Sequence, residues 1–158
     1  MTAVDLPAHD RISTTRRWAM LAAGTGAQAS SAVMVHGPAF LIPALHTEQG
    51  LSLAEAGLVA SAPLAGIMVA LLAWGAVVDR RGERFALLSG LTLAAGGGLA
   101  ATQTSGLAPL AAALFVAGVG GAATNSASGR VVVGWFPPER RGLAMGIRQM
   151  GQPLGVGV

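Results

Sequence analysis

Apolar and polar positions in this chain do not alternate as in a strand or a surface helix; they fall into long blocks. Trp18 to Thr47 carries no formal charge over 30 residues, Ala56 to Val78 none over 23, and Phe85 to Gly129 none over 45. The polar run Thr102-Gln103-Thr104-Ser105-Gly106 divides the last block, which is too long for one crossing. A helix needs about 20 residues to cross a hydrocarbon core of about 30 Å. The pattern therefore predicts an all-α polytopic membrane protein, with spans over 18–45, 56–78, 85–104 and 107–133. A tail occupies 1–17, and connections fall at 46–55, 79–84, 105–106 and 134–142. A fifth apolar segment, 143–158, is shorter than a crossing.

Composition agrees with a lipid environment. Charged residues make up 11% of the chain, against about 25% in soluble domains. Hydrophobic residues reach 53% and mean hydropathy is +0.60. Cysteine is absent, so neither a disulfide framework nor a thiolate metal site is available. The net charge of +3 comes from ten basic residues, all arginine, in short clusters between the apolar blocks. They form no extended patch with interleaved aromatics, so a nucleic-acid partner is not expected; the bilayer is.

The arginines also predict orientation. Arg11, Arg16 and Arg17 precede the first span, Arg80, Arg81 and Arg84 lie between the second and third, and Arg140 and Arg141 follow the fourth. The connections around 46–55 and 103–106 hold none. By the positive-inside rule the N-terminus and the 79–84 loop face the cytoplasm, in a multi-pass protein of the cell membrane. Thr15-Arg16-Arg17-Trp18 followed by Ala27-Gln28-Ala29 mimics a cleaved twin-arginine signal. The apolar stretch runs on past that point to Leu45, as a span would and a signal would not.

Small residues recur every four positions: Gly90, Ala94, Gly98 and Thr102 in the third span, Ala62, Gly66 and Ala70 in the second, Gly118 and Ala122 in the fourth. Such ladders let backbones approach where lipid supplies no hydrophobic drive between helices.

The stretch from Gly75 to Leu88, GAVVDRRGERFALL, concentrates charge at one turn. Gly82 can supply the positive φ of a tight reversal, and Asp79 can accept from the free N–H groups that open the following helix. Gly75-x-x-x-Asp79-Arg80-x-Gly82-x-Arg84 resembles the cytoplasmic signature between the second and third helices of the major facilitator superfamily (MFS). Arg81 stands where that pattern has an aromatic, and Glu83 where it has a basic residue. Trp135-Phe136-Pro137 with Arg141-Gly142-x-Ala144-x-Gly146 resembles the fourth–fifth helix junction of bacterial members. The resemblance implies a secondary active transporter of small solutes, two six-helix halves rocking about a central cavity. This chain would be its N-terminal portion: the first four transmembrane helices and part of the fifth of one half. The C-terminal helices of the full transporter would then be its missing partners. A different class of protein fits the same spans, a small four-helix membrane protein acting as a homo-oligomeric exporter or a non-transporting membrane subunit.

Polar residues inside the spans are the substrate-binding candidates. Thr25, Gln28, Ser31 and His36 share an arc of roughly 140° on the first helix, which the resemblance places at the cavity. His36 can carry a coupled proton, or it can bond locally beside Gly37-Pro38. Asn125 lies in the fourth span. Arg130, late in that span, reads as an interfacial anchor or a partner for Asp79. Arg148 lies about 10 Å into the fifth segment, with Gln152 one turn further on the same face. Its planar fork suits a carboxylate or similar oxyanion, and hence an anionic substrate; its length also permits snorkelling back to the cytoplasmic interface. Gly151-x-Pro153-x-Gly155 resembles the glycine–proline motif of antiporter fifth helices.

Enzymatic readings find no support. No span holds a carboxylate pair, and no H-E-x-x-H, G-x-S-x-G or P-loop pattern occurs. Histidines at 9, 36 and 46 lack metal-site spacing, so no metal or cofactor is expected.

Overall fold

A computed structural model describes residues 12–157, all in helices and short connections. The order is α1 (Thr14–Phe40), α2 (Ile42–Gln49), α3 (Leu53–Gln103), α4 (Leu107–Trp135) and α5 (Pro138–Val156). Residues 1–11, most of the expected tail, lie outside the described residues, as does Val158.

Local chemistry sets each boundary. Ser13 caps α1, its hydroxyl accepting from the Arg16 N–H at 3.4 Å. The helix thus begins at Thr14 and not at 18. It ends at Phe40 because Pro43, in the first turn of α2, has no N–H to continue the ladder. Residues 42–49, split by pattern between a span and a loop, form one short helix that Gly50 closes at φ 68°. Ser52 and Glu55 then build a reciprocal capping box at the start of α3. The Ser52 hydroxyl and N–H, each 2.8 Å from the Glu55 carboxylate, hold its pKa below the ordinary value.

Helix α3 is 51 residues long but not continuous: Gly82, at φ 81° and ψ 167°, breaks it. The expected 79–84 loop is therefore a single residue between two helical limbs, 53–81 and 83–103. The limbs are about 44 and 32 Å long at 1.5 Å per residue. Likewise α5 begins at Pro138, so Phe136-Pro137 alone separates it from α4 where a loop over 134–142 was expected.

Glycines join the helices. A Cβ on Gly66 would strike the backbone of Phe115 and Val119, and one on Gly118 would strike Pro63. On the other limb, Gly90 abuts Gly120 and Ala123, and Gly97 lies against Ala113 and Ala117. Helix α4 thus runs parallel to the first limb and antiparallel to the second, seated in the hairpin they form. The ladder of the third span turns at its end: Gly97 faces α4, whereas Gly98 faces Met34 of α1. Trp74 Nε1 donates to Val119 O at 2.7 Å and adds a polar stitch.

Helix α1 lies antiparallel to α4, Gly24 beside Ser128 and Ser31 beside Gly121. Helix α5 runs parallel to α1, with Gly151 against Thr25 O and Gly155 against Ala29 O. The Gly151-x-Pro153-x-Gly155 pattern here seats α1. Trp18 packs edge-on to Phe136, ring centroids 5.3 Å apart, and closes one end of the bundle.

Two helices among the described residues, α3 and α4, are long and apolar enough to cross a membrane by length and composition. The first limb of α3 exposes Leu58, Leu64, Met68, Val69 and Leu72, an apolar belt that monomers in water rarely present.

Substituting Gly118→Ala places a methyl against the Pro63 backbone, which cannot yield as a side chain would. A loss of about 1–3 kcal/mol is expected, read as a lower thermal midpoint in detergent. Gly129→Ala, with open space around it, should leave the midpoint unchanged or raise it.

Candidate functional site

Two groups of polar residues stand out against the apolar packing. The first is at the Gly82 corner. Because the first limb stays helical through Arg81, Asp79 projects toward α4 one turn before the break. Its Oδ1 accepts from Arg130 Nη1, and Arg130 Nε lies 3.9 Å from Glu83 Oε1. Of the two roles the sequence allows Asp79, capping the helix after the turn and pairing with Arg130, the structure shows the pair. The two side chains are 67% and 49% exposed, so the pair contributes about 0–1 kcal/mol. Arg81 stacks its guanidinium 4.9 Å from the Phe85 ring across the break, while Arg80 and Arg84 are exposed. Gly75, expected where a helix could press against the corner, meets nothing within 4 Å among the described residues. It opens instead on a groove shared with Val78, Asp79, Ser126 and Arg130.

The second group joins α1, α4 and α5. Arg148 Nη1 donates to Ser128 Oγ at 3.1 Å and to Gln28 Oε1 at 3.3 Å. Its Nη2 donates to Gln149 Oε1 at 2.7 Å, and its Nε lies 3.2 Å from Met145 Sδ. Gln28 passes the connection on, its Nε2 donating to Asn125 Oδ1 at 3.4 Å. Gln152 Nε2 lies 3.4 Å from His36 Nε2, tying the far ends of α5 and α1. Of the expected candidates, Gln28, Asn125 and Arg148 form one network; His36 and Gln152 form a separate pair.

The polar face of α1 is packed, not open: Gln28 is 3% exposed and Ser31 8%, both against α4. Ser31 Oγ is buried without a hydrogen-bond partner among the described residues. It borders a small cavity of about 20 Å³ with Gln28, Thr124, Asn125, His36 and Gln152, room for one water. Thr25 turns its hydroxyl back to Leu21 O at 2.9 Å.

Ser128 was the contact least visible in sequence, although its spacing from Asn125, three residues on an apolar helix, puts both on the α1 side. The chemistry of the network comes from its charges. Every partner of Arg148 is neutral, and no carboxylate pairs with it among the described residues. A cation so placed is stabilised by dipoles alone and retains its attraction for an oxyanion. The side chain reaches Ser128 on α4 and Gln28 on α1.

The family model described as Major Facilitator Superfamily matches residues 11–158. Two uncharacterized MFS-type transporters of Mycobacterium tuberculosis, from strains CDC 1551 and H37Rv, are each 44% identical over 148 residues. The match covers 94% of this chain and 33% of each relative, so the chain spans about a third of their length. No solved structure matches the chain.

Burial ranks the two polar groups. Gln28→Leu strips one partner each from Arg148 and Asn125, and should lower stability by about 1–3 kcal/mol. Arg130→Gln breaks only an exposed pair and should cost at most about 1 kcal/mol. Denaturant midpoints of the two variants, measured in the same detergent, check the order.

Proposed function

Since the chain belongs to the Major Facilitator Superfamily, we propose that it forms the first helices of a secondary transporter that holds an anionic solute at Arg148. Members of this family are transporters of small molecules in the bilayer. The finer reading is alternating access, with four crossings and the start of a fifth, and the N-terminus and the Gly82 corner at the cytoplasmic side. The alternating directions of α1, the two α3 limbs, α4 and α5 support that topology. The remainder of a longer transporter would supply the opposite wall and would cover the Gly75 groove.

One observation carries the solute reading: Arg148 crosses from α5 to α1 and α4 and meets only neutral acceptors there. Burying a charge at mid-membrane costs about 2.5–3.5 kcal/mol on insertion scales, and such residues mark substrate or ion pathways. His36, beside Gln152, is the group placed to carry a coupled proton. Asp79 and Arg130, at the opposite end of α4 from its Gly106 cap, act on the conformational cycle and not on the solute.

In a transporter of the relatives' length carrying this segment, Arg148→Gln should abolish anion binding with membrane insertion intact. Arg148→Lys should weaken it, since the charge stays but the fork is lost. Equal anion binding in wild type and Arg148→Gln would refute the site. Topology has its own check, single cysteines at Glu48 and Arg81, both exposed and adjacent to, not at, the positive-φ glycines. In intact cells an impermeant maleimide should label Glu48→Cys and spare Arg81→Cys; the reverse pattern would overturn the orientation.

A further inference from the structure

Beside Arg148 lies a second, partly open cavity of about 170 Å³, bordered by α1, the second limb of α3, α4 and α5. Its walls are apolar, with Leu21 and Ala27 from α1 and Leu87 and Leu91 from α3. Ser128 and Arg148 border the same space, and they are hydrogen-bonded to each other. The cavity is distinct from the polar one beside Ser31, whose border does not include Arg148.

We propose that this cavity takes the apolar tail of a small monocarboxylate whose head is held by Arg148. The inference rests on the anion reading above and adds the chemical class of the anion. Two observations select it. The guanidinium has only neutral partners, so one negative charge is the complement it lacks. The remaining wall has no polar group suited to a sugar, an amine or a second charge, so the rest of the solute must be apolar. A polar tail would lose its water without gaining a hydrogen bond. Size sets the limit: at about 170 Å³ the space takes a short unbranched tail and not a bulky one.

The purified chain in nanodiscs of zwitterionic lipid, titrated calorimetrically with acetate, butyrate, hexanoate and hexanol against empty discs, tests this. Affinity should rise roughly fourfold per added methylene from acetate to hexanoate. Arg148→Gln should weaken hexanoate at least tenfold and leave hexanol unchanged. Ala27→Leu, which fills the cavity and keeps Arg148 and its partners, should weaken hexanoate strongly and acetate less than twofold. Should Arg148→Gln not elute as a folded species, Ala27→Leu and Arg148→Lys decide. If acetate and hexanoate bind alike and Ala27→Leu alters neither, the tail pocket is refuted while an Arg148 anion site stands. If a folded Arg148→Gln binds every carboxylate as wild type does, both readings fall.

Discussion

Close backbone approach between α4 and the two limbs of α3 is the constraint on which the rest of the structure depends. Inside a bilayer there is no hydrophobic gain from bringing two apolar helices together, so dispersion at short range must supply the attraction. That requires positions where a Cβ would not fit: Gly66, Gly90, Gly97, Gly118 and Gly120. With α4 locked in the hairpin, its two remaining directions are determined. Asn125 and Ser128 turn toward α1 and α5, and Arg130 arrives beside Asp79 and Glu83.

The Gly82 break serves the same packing. A single residue at positive φ reverses a helix of 51 residues, leaving no slack between the limbs and bringing Val78 and Ala86 together on Ala127. A longer loop would let the limbs separate, and α4 would lose its seat. The charge pair across this corner is exposed enough to be worth little in stability. The glycine contacts, not this pair, hold the helices together.

The interior network is of a different kind. Arg148, Gln28, Ser128 and Asn125 form a chain of donors and acceptors in which one positive charge is shared among neutral dipoles. Among the described residues no carboxylate competes for the guanidinium, which is what the proposed anion site rests on. The apolar cavity lies on one side of it, and on the other the Ser31 hydroxyl, buried without a partner among the described residues.

Block length and breaker chemistry made the helices legible in sequence, since charge-free stretches and Gly or Pro act locally. Gly82 could be assigned its positive φ from the residue pattern, because only that conformation turns a hairpin so tightly. Family membership was equally readable, from Gly75, Asp79, Gly82 and Arg84 in their spacing. Partners were not. A helical wheel puts Gln28 and Ser31 on one polar face, but only packing decides that α4 covers it, so that both are buried. Asp79 reads both as a helix cap and as a partner for Arg130, and the pair forms because α4 delivers Arg130 to it. Arg148 finds Gln28 and Ser128 because the seat that Gly151 and Gly155 give α1 sets α5 beside it. Local signals determine where helices start and stop; which face meets which neighbour depends on contacts between residues far apart in the chain, and that only the tertiary structure decides.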